Sequence, residues 1–138
     1  MIDEFQSAIR DHGDTARCVL LLSSTAGMFC AGADLKERKE MTAAEAKEFV
    51  KKLRTTFTMF EQIKCPTITV LDGPALGGGC ELALCSDIRI ASAGTTMGLP
   101  ETGLAIIPGA GGTQRLPRLI GKSKAMELIF TGDRITAS

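Results

Sequence analysis

TITVLDGPALGGGCELALCSDIRIA, residues 67–91, is the stretch of sequence that decides the fold. Its first part, Thr67–Leu71, is a short run of mostly β-branched and apolar residues, which is typical of a buried strand. Three glycines at 77–79 then open the segment 80–85, which we interpret as a helix, and residues 87–91 alternate with a period of two, as a strand does. A strand, a helix and a further strand in succession favour parallel βα units and therefore an α/β fold.

Upstream of this stretch, the sequence predicts a helix followed by a strand. Ile2, Phe5 and Ile9 recur at helical spacing, and Gly13 can close the helix. Residues 17–23 contain a continuous apolar run, as expected of a strand that is buried on both of its faces.

A long amphipathic helix is predicted between this strand and residues 67–91. Thr42 and Glu45 fit a capping box, with Thr42 as the N-cap residue. Apolar residues then repeat at steps of three and four from Phe49 to Phe60, and the helix must end before Pro66. We expect this apolar stripe to lie in the core rather than in a substrate pocket.

Downstream, the pattern predicts a short strand at 96–99 and a helix at 123–130. Between them lies a segment rich in proline and glycine, which includes the glycine-rich residues 109–112. This segment lacks the GK[ST] ending and the strand–turn–helix context of a phosphate-binding loop, so we exclude a nucleotide site there and favour a structural loop.

Length and composition limit the class of protein. A chain of 138 residues is about one domain, and its formal net charge of zero, from 16 Lys plus Arg and 16 Asp plus Glu, removes the electrostatic argument for a dedicated nucleic-acid binder. The longest apolar run, residues 18–22, is far too short to span a membrane. Five cysteines without CxxC spacing and a single histidine, His12, argue against zinc and indicate reduced, mostly buried thiols in a reducing intracellular compartment.

Two glycine-containing segments suggest chemistry. Residues 30–34 (CAGAD) and 76–80 (LGGGC) each present a nearly bare backbone between an apolar strand and the beginning of a helix. Two such backbone N–H groups that converge on one point make an oxyanion hole. The alternative is that these glycines serve only tight turns and close helix–sheet packing, and each segment alone leaves both interpretations open.

Two carboxyl groups are candidates for acid–base work. Glu81 lies directly after the triple glycine among apolar residues, where burial should raise its pKa, and Glu101 follows Pro100 in a setting with few polar neighbours. The alternatives are that Glu81 only complements a helix dipole and that Glu101 is a solvated loop acid. Spacing along the chain does not show whether the two carboxyl groups meet.

Taken together, four motifs resemble those of the enoyl-CoA hydratase/isomerase (crotonase) superfamily across essentially the whole chain: FCAGADLK (29–36), GGGCELA (77–83), MGLPE (97–101) and IPGAGGTQRL (107–116). ADLKER (33–38) and LAIIP (104–108) are most similar to the methylglutaconyl-CoA hydratase branch, whose members include an AU-rich-RNA-binding protein. The resemblance implies a crotonase-like α/β spiral of βα units. It further implies that residues 1–138 are the central portion of such a domain, without its N-terminal strands and its C-terminal helical, trimerisation part.

The resemblance also implies roles for individual residues. The backbone N–H groups of Ala33 and Gly78 would hold the thioester oxygen, while Glu81 and Glu101 would act as the acid–base pair that adds water across the 2,3 double bond of an enoyl-CoA. No metal and no separate cofactor are implied, because coenzyme A is part of the substrate. Lys36 would lie near the CoA phosphates and Ala31 beside the adenine. The full set of implied substrate-binding residues is Ala31, Asp34, Leu35, Lys36, Gly77, Pro100 and Gly109.

Three other functions remain open at this stage. An enoyl-CoA isomerase needs only one carboxylate to move a double bond. An AU-rich-RNA-binding module is suggested by the branch alone, and residues 11–17 are not basic as that function would require. The third is an inactive truncated isoform. For full-length members the resemblance implies a homotrimer or hexamer in the mitochondrial matrix, without a membrane partner.

Overall fold

The computed structural model describes residues 1–34 and 39–138, so the predicted sites Leu35 and Lys36 lie outside the described residues. The order of the elements confirms the expected α/β class. They are α1 (Ile2–His12), β1 (Val19–Leu21), α2 (Ala43–Glu61), β2 (Thr67–Leu71), β3 (Ala75–Leu76), α3 (Gly78–Ala83), β4 (Ile88–Ala91), β5 (Thr96–Gly98), a 3-10 helix (Pro100–Leu104), α4 (Gly112–Ile120), α5 (Lys122–Thr131) and β6 (Arg134–Thr136).

The strands form two three-stranded sheets. In the first, β2 lies between β1 and β4, and both pairings are parallel, with Ile68 of β2 opposite Leu20 and Ile88. In the second, β5 lies between β3, to which it is parallel, and β6, to which it is antiparallel. The predicted parallel βα units are therefore confirmed, whereas the antiparallel strand β6 was not expected.

Helix α2 begins as the sequence predicts. The Thr42 hydroxyl accepts the N–H of Glu45, and the Glu45 carboxylate accepts the N–H of Thr42 at 2.8 Å, so the capping box is complete. The other end of α2 packs against α1, where the rings of Phe5 and Phe60 lie 5.5 Å apart between centroids. Phe57 and Phe60 form one part of the core, which α1 and β1 cover.

The expectation that β1 is buried on both faces is wrong. Val19 and Leu21 pack on the Phe57–Phe60 cluster, but Leu20 on the opposite face is 59% exposed. Ile88 and Ile90 of β4 are also exposed on this sheet. Helices α1 and α2 cover the Val19 and Leu21 side of the sheet, and a continuous apolar run does not tell a sheet covered on one face from a sheet covered on both.

Several element boundaries differ from the sequence predictions because glycine and proline are poor guides inside short elements. Helix α3 starts at Gly78, two residues before the predicted start, and helix α4 was not predicted. Helix α4 begins with Gly112 and contains Pro117, two residue types that normally indicate a loop.

All five cysteines are free thiols, but the expectation that most are buried is wrong. Only Cys80 and Cys85 are buried, Cys30 and Cys65 are partly exposed, and Cys18 is exposed. In the two described ranges, no helix combines the length and the apolar character that a membrane crossing requires.

Candidate active site

A cavity of about 840 Å³ collects most of the residues that the sequence singled out. Its wall is built from the two glycine-containing segments, α2, the 3-10 helix and the loop that leads into α4. Asp34, by contrast, is exposed and does not line this cavity. The volume is of the size that small-molecule sites usually have. The sequence-predicted residues that line it are Ala31, Ala33, Gly77, Gly78, Glu81, Pro100, Glu101 and Gly109.

The two glycine-containing segments touch each other at the cavity wall. A Cβ atom on Gly78 would lie 3.8 Å from the Gly32 Cα and 4.0 Å from the Ala33 nitrogen, and a Cβ atom on Gly32 would lie 3.3 Å from the Gly78 nitrogen. The Ala33 and Gly78 amides are therefore near neighbours. Within the described residues, neither amide donates a hydrogen bond to another backbone group.

Backbone pairing fixes this contact. The Leu76 N–H donates to the Cys30 oxygen at 2.9 Å, and the Gly77 N–H donates to the Gly98 oxygen at 2.9 Å. Gly77 takes a φ of +54°, in the left-handed region that favours glycine, and a Cβ atom on Gly79 would collide with the Cys30 carbonyl. Close packing is thus one purpose of these glycines, and it brings two bare amides to the cavity.

Glu81 is buried at the start of α3, and the loop before α4 binds it. Its Oε1 accepts the Ala110 N–H at 2.8 Å and the Gly112 N–H at 2.7 Å. Burial raises the pKa of this carboxyl group, while the two N–H donors and the positive charge of Arg115 oppose the rise. Glu81 therefore does more than complement the dipole of its helix.

Glu101 lies in the 3-10 helix and is only 8% exposed, so the alternative of a solvated loop acid is wrong. Its Oε2 is buried, with no hydrogen-bond partner among the residues that the structure describes. Burial raises the pKa of Glu101, and the nearby charge of Glu81 raises it further. Its Oε1 would lie 3.1 Å from a Cβ atom on Gly77, which places this carboxyl group beside the glycine segment.

The two carboxyl groups have different surroundings in one cavity. Glu81 has two N–H donors that stabilise its ionised form, whereas Glu101 Oε2 has none in the described part of the chain. Environments that differ in this way allow one carboxyl group to accept a proton while the other donates one.

Sequence reasoning missed the side chains that hold the loop around Glu81. Arg115 is buried, and it donates to the Ala110 oxygen at 2.8 Å and to Glu61 Oε2 at 2.8 Å. Arg54 of α2 donates to the Gly109 oxygen. The interpretation of 109–112 as only a structural loop is therefore incomplete, because this segment binds Glu81. The sequence signal that could have indicated this role of Arg115 is its position shortly after the glycine-rich residues 109–112.

The apolar stripe of α2 divides between two environments. Phe57 and Phe60 lie in the core as predicted, but Val50 lines the cavity, and Leu53 both packs on the Phe57–Phe60 cluster and lines the cavity. The expectation that the whole stripe is core is therefore wrong. In the described parts of the chain, no group of three or more His, Cys, Asp or Glu side chains could hold a metal ion.

The chain is similar to proteins of known family. The model of a family described as enoyl-CoA hydratase/isomerase matches residues 1–138. A probable mitochondrial enoyl-CoA hydratase 2 of Arabidopsis thaliana is 52% identical over 139 residues, which are 99% of this chain and 46% of the relative. The human mitochondrial methylglutaconyl-CoA hydratase is 56% identical over 115 residues, or 83% of this chain and 34% of the relative.

A solved structure shows the same backbone. The crystal structure of an enoyl-CoA hydratase from Bacillus anthracis superimposes with a TM-score of 0.94 at 51% identity, over 99% of this chain and 54% of that protein. The chain thus spans about half the length of the proteins that it resembles.

Proposed function

The chain belongs to the enoyl-CoA hydratase/isomerase family and has its crotonase-like fold, and on that premise we propose that it adds water across the 2,3 double bond of an enoyl-CoA thioester. The observation that carries the proposal is the meeting of four groups at one cavity. These are the carboxyl groups of Glu81 and Glu101 and the bare amides of Ala33 and Gly78.

In the proposed reaction, the N–H groups of Ala33 and Gly78 bind the thioester oxygen. Water can add at C3 of the conjugated thioester only if the negative charge that develops on this oxygen is stabilised. Preorganised backbone donors supply that stabilisation, and the loss of one donor typically costs about 3–4 kcal/mol of transition-state stabilisation. The proximity of the two amides supports this role.

Glu81 and Glu101 move the protons. Glu81, with two N–H donors on Oε1, acts as the ionised base that takes a proton from the attacking water, whose oxygen bonds to C3. Glu101 is the buried acid that gives its proton to C2, which completes the addition. A positioned proton transfer of this kind contributes about 10²–10⁴-fold to the rate. No metal and no separate cofactor take part in the proposed reaction.

The acyl group would lie against an apolar wall. Val50 and Leu53 of α2 line the cavity together with Ile106 and Ile107. This wall suits an acyl chain, and the similarity to methylglutaconyl-CoA hydratase supports a branched enoyl group as one substrate. Both relatives compared above carry the word mitochondrial in their names, which supports the mitochondrion as the proposed location.

The test is hydration of crotonyl-CoA, followed by the loss of the conjugated thioester absorbance. We expect Glu81→Gln and Glu101→Gln to remove hydration while acyl-CoA binding persists. Glu48→Gln, at an exposed position of α2, is the matched control and should hydrate at the unsubstituted rate. Near-normal rates in both active-site variants would refute the two-acid mechanism. Conversion of a 3-enoyl-CoA to the conjugated isomer without hydration would identify an isomerase instead.

A further inference from the structure

The peptide group that joins Gly109 to Ala110 is bound at both ends. Its carbonyl oxygen accepts two hydrogen bonds from Arg54, from Nε at 3.2 Å and from Nη2 at 3.1 Å. Its N–H donates to Glu81 Oε1 at 2.8 Å. The Arg54 guanidinium and the Glu81 carboxyl group therefore lie at opposite ends of one peptide dipole. In this arrangement, the hydrogen bond to the carbonyl oxygen and the hydrogen bond from the N–H strengthen each other.

Helix α2 also contacts this peptide through its apolar surface. A Cβ atom on Gly109 would lie 3.0 Å from Val50 Cγ1, so Gly109 sits directly on the helix. Val50 and Arg54 are four residues apart and share a face of α2, which lets one side chain support the peptide while the other binds its oxygen. The contact thus fixes both the position and the orientation of the peptide.

The carbonyl group of the next peptide is also bound by an arginine. Its oxygen, that of Ala110, accepts a hydrogen bond from Arg115, and Glu61 of α2 holds the Arg115 guanidinium. Successive carbonyl groups thus face arginines, while the amides of Ala110 and Gly112 face Glu81. Backbone amides that converge in this way form a concave anion site.

We propose that Arg54 is a positioning residue for Glu81, because it holds the Gly109–Ala110 peptide with its N–H directed at Oε1. The expected effect of Arg54 on hydration rests on the proposed function. Its expected effect on the acidity of the Glu81 carboxyl group does not. Arg54 is exposed and lines the cavity rather than the buried core, so its replacement leaves the core intact. Arg115 is buried against Glu61 and is less suited to a test, because its removal strands a buried carbonyl and a carboxylate.

Four titratable or charged side chains surround Glu81 besides this loop. Arg115 approaches from α4, Glu101 from the 3-10 helix, the Cys80 thiol from α3 itself and the Cys85 thiol from the turn that follows α3. Substitution of Arg54 changes none of these groups. A change in the titration of Glu81 in an Arg54 variant is therefore attributable to the loop.

The experiment is a ¹³C NMR titration of the Glu81 side-chain carboxyl, assigned by the loss of its signal in Glu81→Gln. We expect Arg54→Met to weaken the Glu81 acid about threefold, since the peptide loses the cation that polarises it. Arg54→Lys keeps the charge with a single donor group and should restore part of the effect. Lys51→Met removes an exposed charge three residues earlier on α2 and should leave the titration unchanged.

Two results would overturn the inference: an unchanged Glu81 titration in Arg54→Met, or an equal change in Lys51→Met, which would indicate a general charge effect. Hydration kinetics distinguish a failure of the Arg54 positioning role from a failure of the proposed hydratase activity. The acidic limb of kcat/KM should move to higher pH in Arg54→Met by the same factor, with kcat lowered more than KM. If the unsubstituted chain hydrates nothing while the titration still responds to Arg54→Met, the proposed function fails and the positioning role stands.

Discussion

Gly112 and Glu81 are 31 residues apart in the chain and are joined by a hydrogen bond of 2.7 Å from the Gly112 N–H to Glu81 Oε1. The contact is close at the side-chain level as well, because a Cβ atom on Gly112 would lie 3.0 Å from the Glu81 Cγ and 3.1 Å from Oε1. Gly112 is therefore the residue that lets helix α4 begin against a buried carboxyl group.

The first prediction concerns Gly112→Ala. The added methyl group would lie closest to the Glu81 side chain and 3.2 Å from the Leu99 Cδ1, so it must push the Glu81 side chain away, the Leu99 side chain away, or both. A misplacement of about 1 Å at a reacting group can cost about 10²-fold in rate. The contacts at Gly112 require a smaller shift than this, so we expect the hydration rate to fall by less than this factor and the free energy of unfolding to fall by about 1–3 kcal/mol. Crotonyl-CoA kinetics and urea unfolding measure the two effects.

Gly94→Ala is the control for this substitution. Gly94 is exposed, and a Cβ atom there would meet nothing within 4 Å. We expect its kinetics and its unfolding midpoint to equal those of the unsubstituted chain. A Gly112→Ala protein with normal kinetics would contradict the assignment of Glu81 to the reaction.

The distance along the chain decides which of these features the sequence could predict. The capping box of α2 joins residues three apart, and the sequence predicted it because both partners lie in one local pattern. The hydrogen bonds of Glu81 with Gly112 and of Arg54 with Gly109 span 31 and 55 residues, and no periodicity carries that information. Composition around Glu81 still predicted the raised pKa correctly, because its apolar neighbours in sequence are also its neighbours in the fold.

Hydrophobic periodicity and the family motifs predicted different aspects of the structure. Periodicity located β2 at the observed bounds but assigned Leu20 to a buried face, since it reports apolar character and not which face is covered. The motifs named Ala33 and Gly78 as partners, and the structure places their amides side by side, a contact that neither glycine-containing segment indicates alone.

The second prediction concerns the start of α2. Thr42→Ala removes the side-chain acceptor for the Glu45 N–H and one donor to the Glu45 carboxylate. We expect the free energy of unfolding to fall by about 1 kcal/mol. Thr55→Ala, at an exposed position inside the same helix, should be neutral or slightly stabilising, because alanine is the better helix former. Equal losses in both variants would show that the cap contributes nothing.

The third prediction concerns the thiols. Burial raises the pKa of both Cys80 and Cys85 to about 12, whereas Cys18 is exposed. Because the thiolate is the reactive form, iodoacetamide at pH 8 should modify Cys18 rapidly and leave Cys80 and Cys85 unmodified until the chain is unfolded in guanidinium. Peptide mass spectrometry of timed samples measures the order. Early modification of Cys80 would mean that α3 opens locally in the native state.

The fourth prediction concerns pH and the buried acid Glu101. Burial is the main cause of its raised pKa, so the folded chain holds this proton more tightly than the unfolded chain does. The stabilisation that results is fully present below the unfolded pKa, near 4.5, and is lost as the pH rises through the folded pKa. At a pH above the folded pKa, the unsubstituted protein therefore contains a buried carboxylate whose Oε2 has no partner in the described residues.

Glu101→Gln tests this directly, because glutamine keeps the shape and removes the charge. We expect the Tm of Glu101→Gln to exceed that of the unsubstituted protein at pH 8, and the difference to shrink or reverse as the pH falls towards 4. Glu48→Gln, whose carboxylate is 71% exposed, should show no such pH-dependent difference. Thermal unfolding followed by circular dichroism across this pH range measures the effect. A Tm difference that does not vary with pH would mean that Glu101 ionises as readily in the folded chain as in the unfolded one.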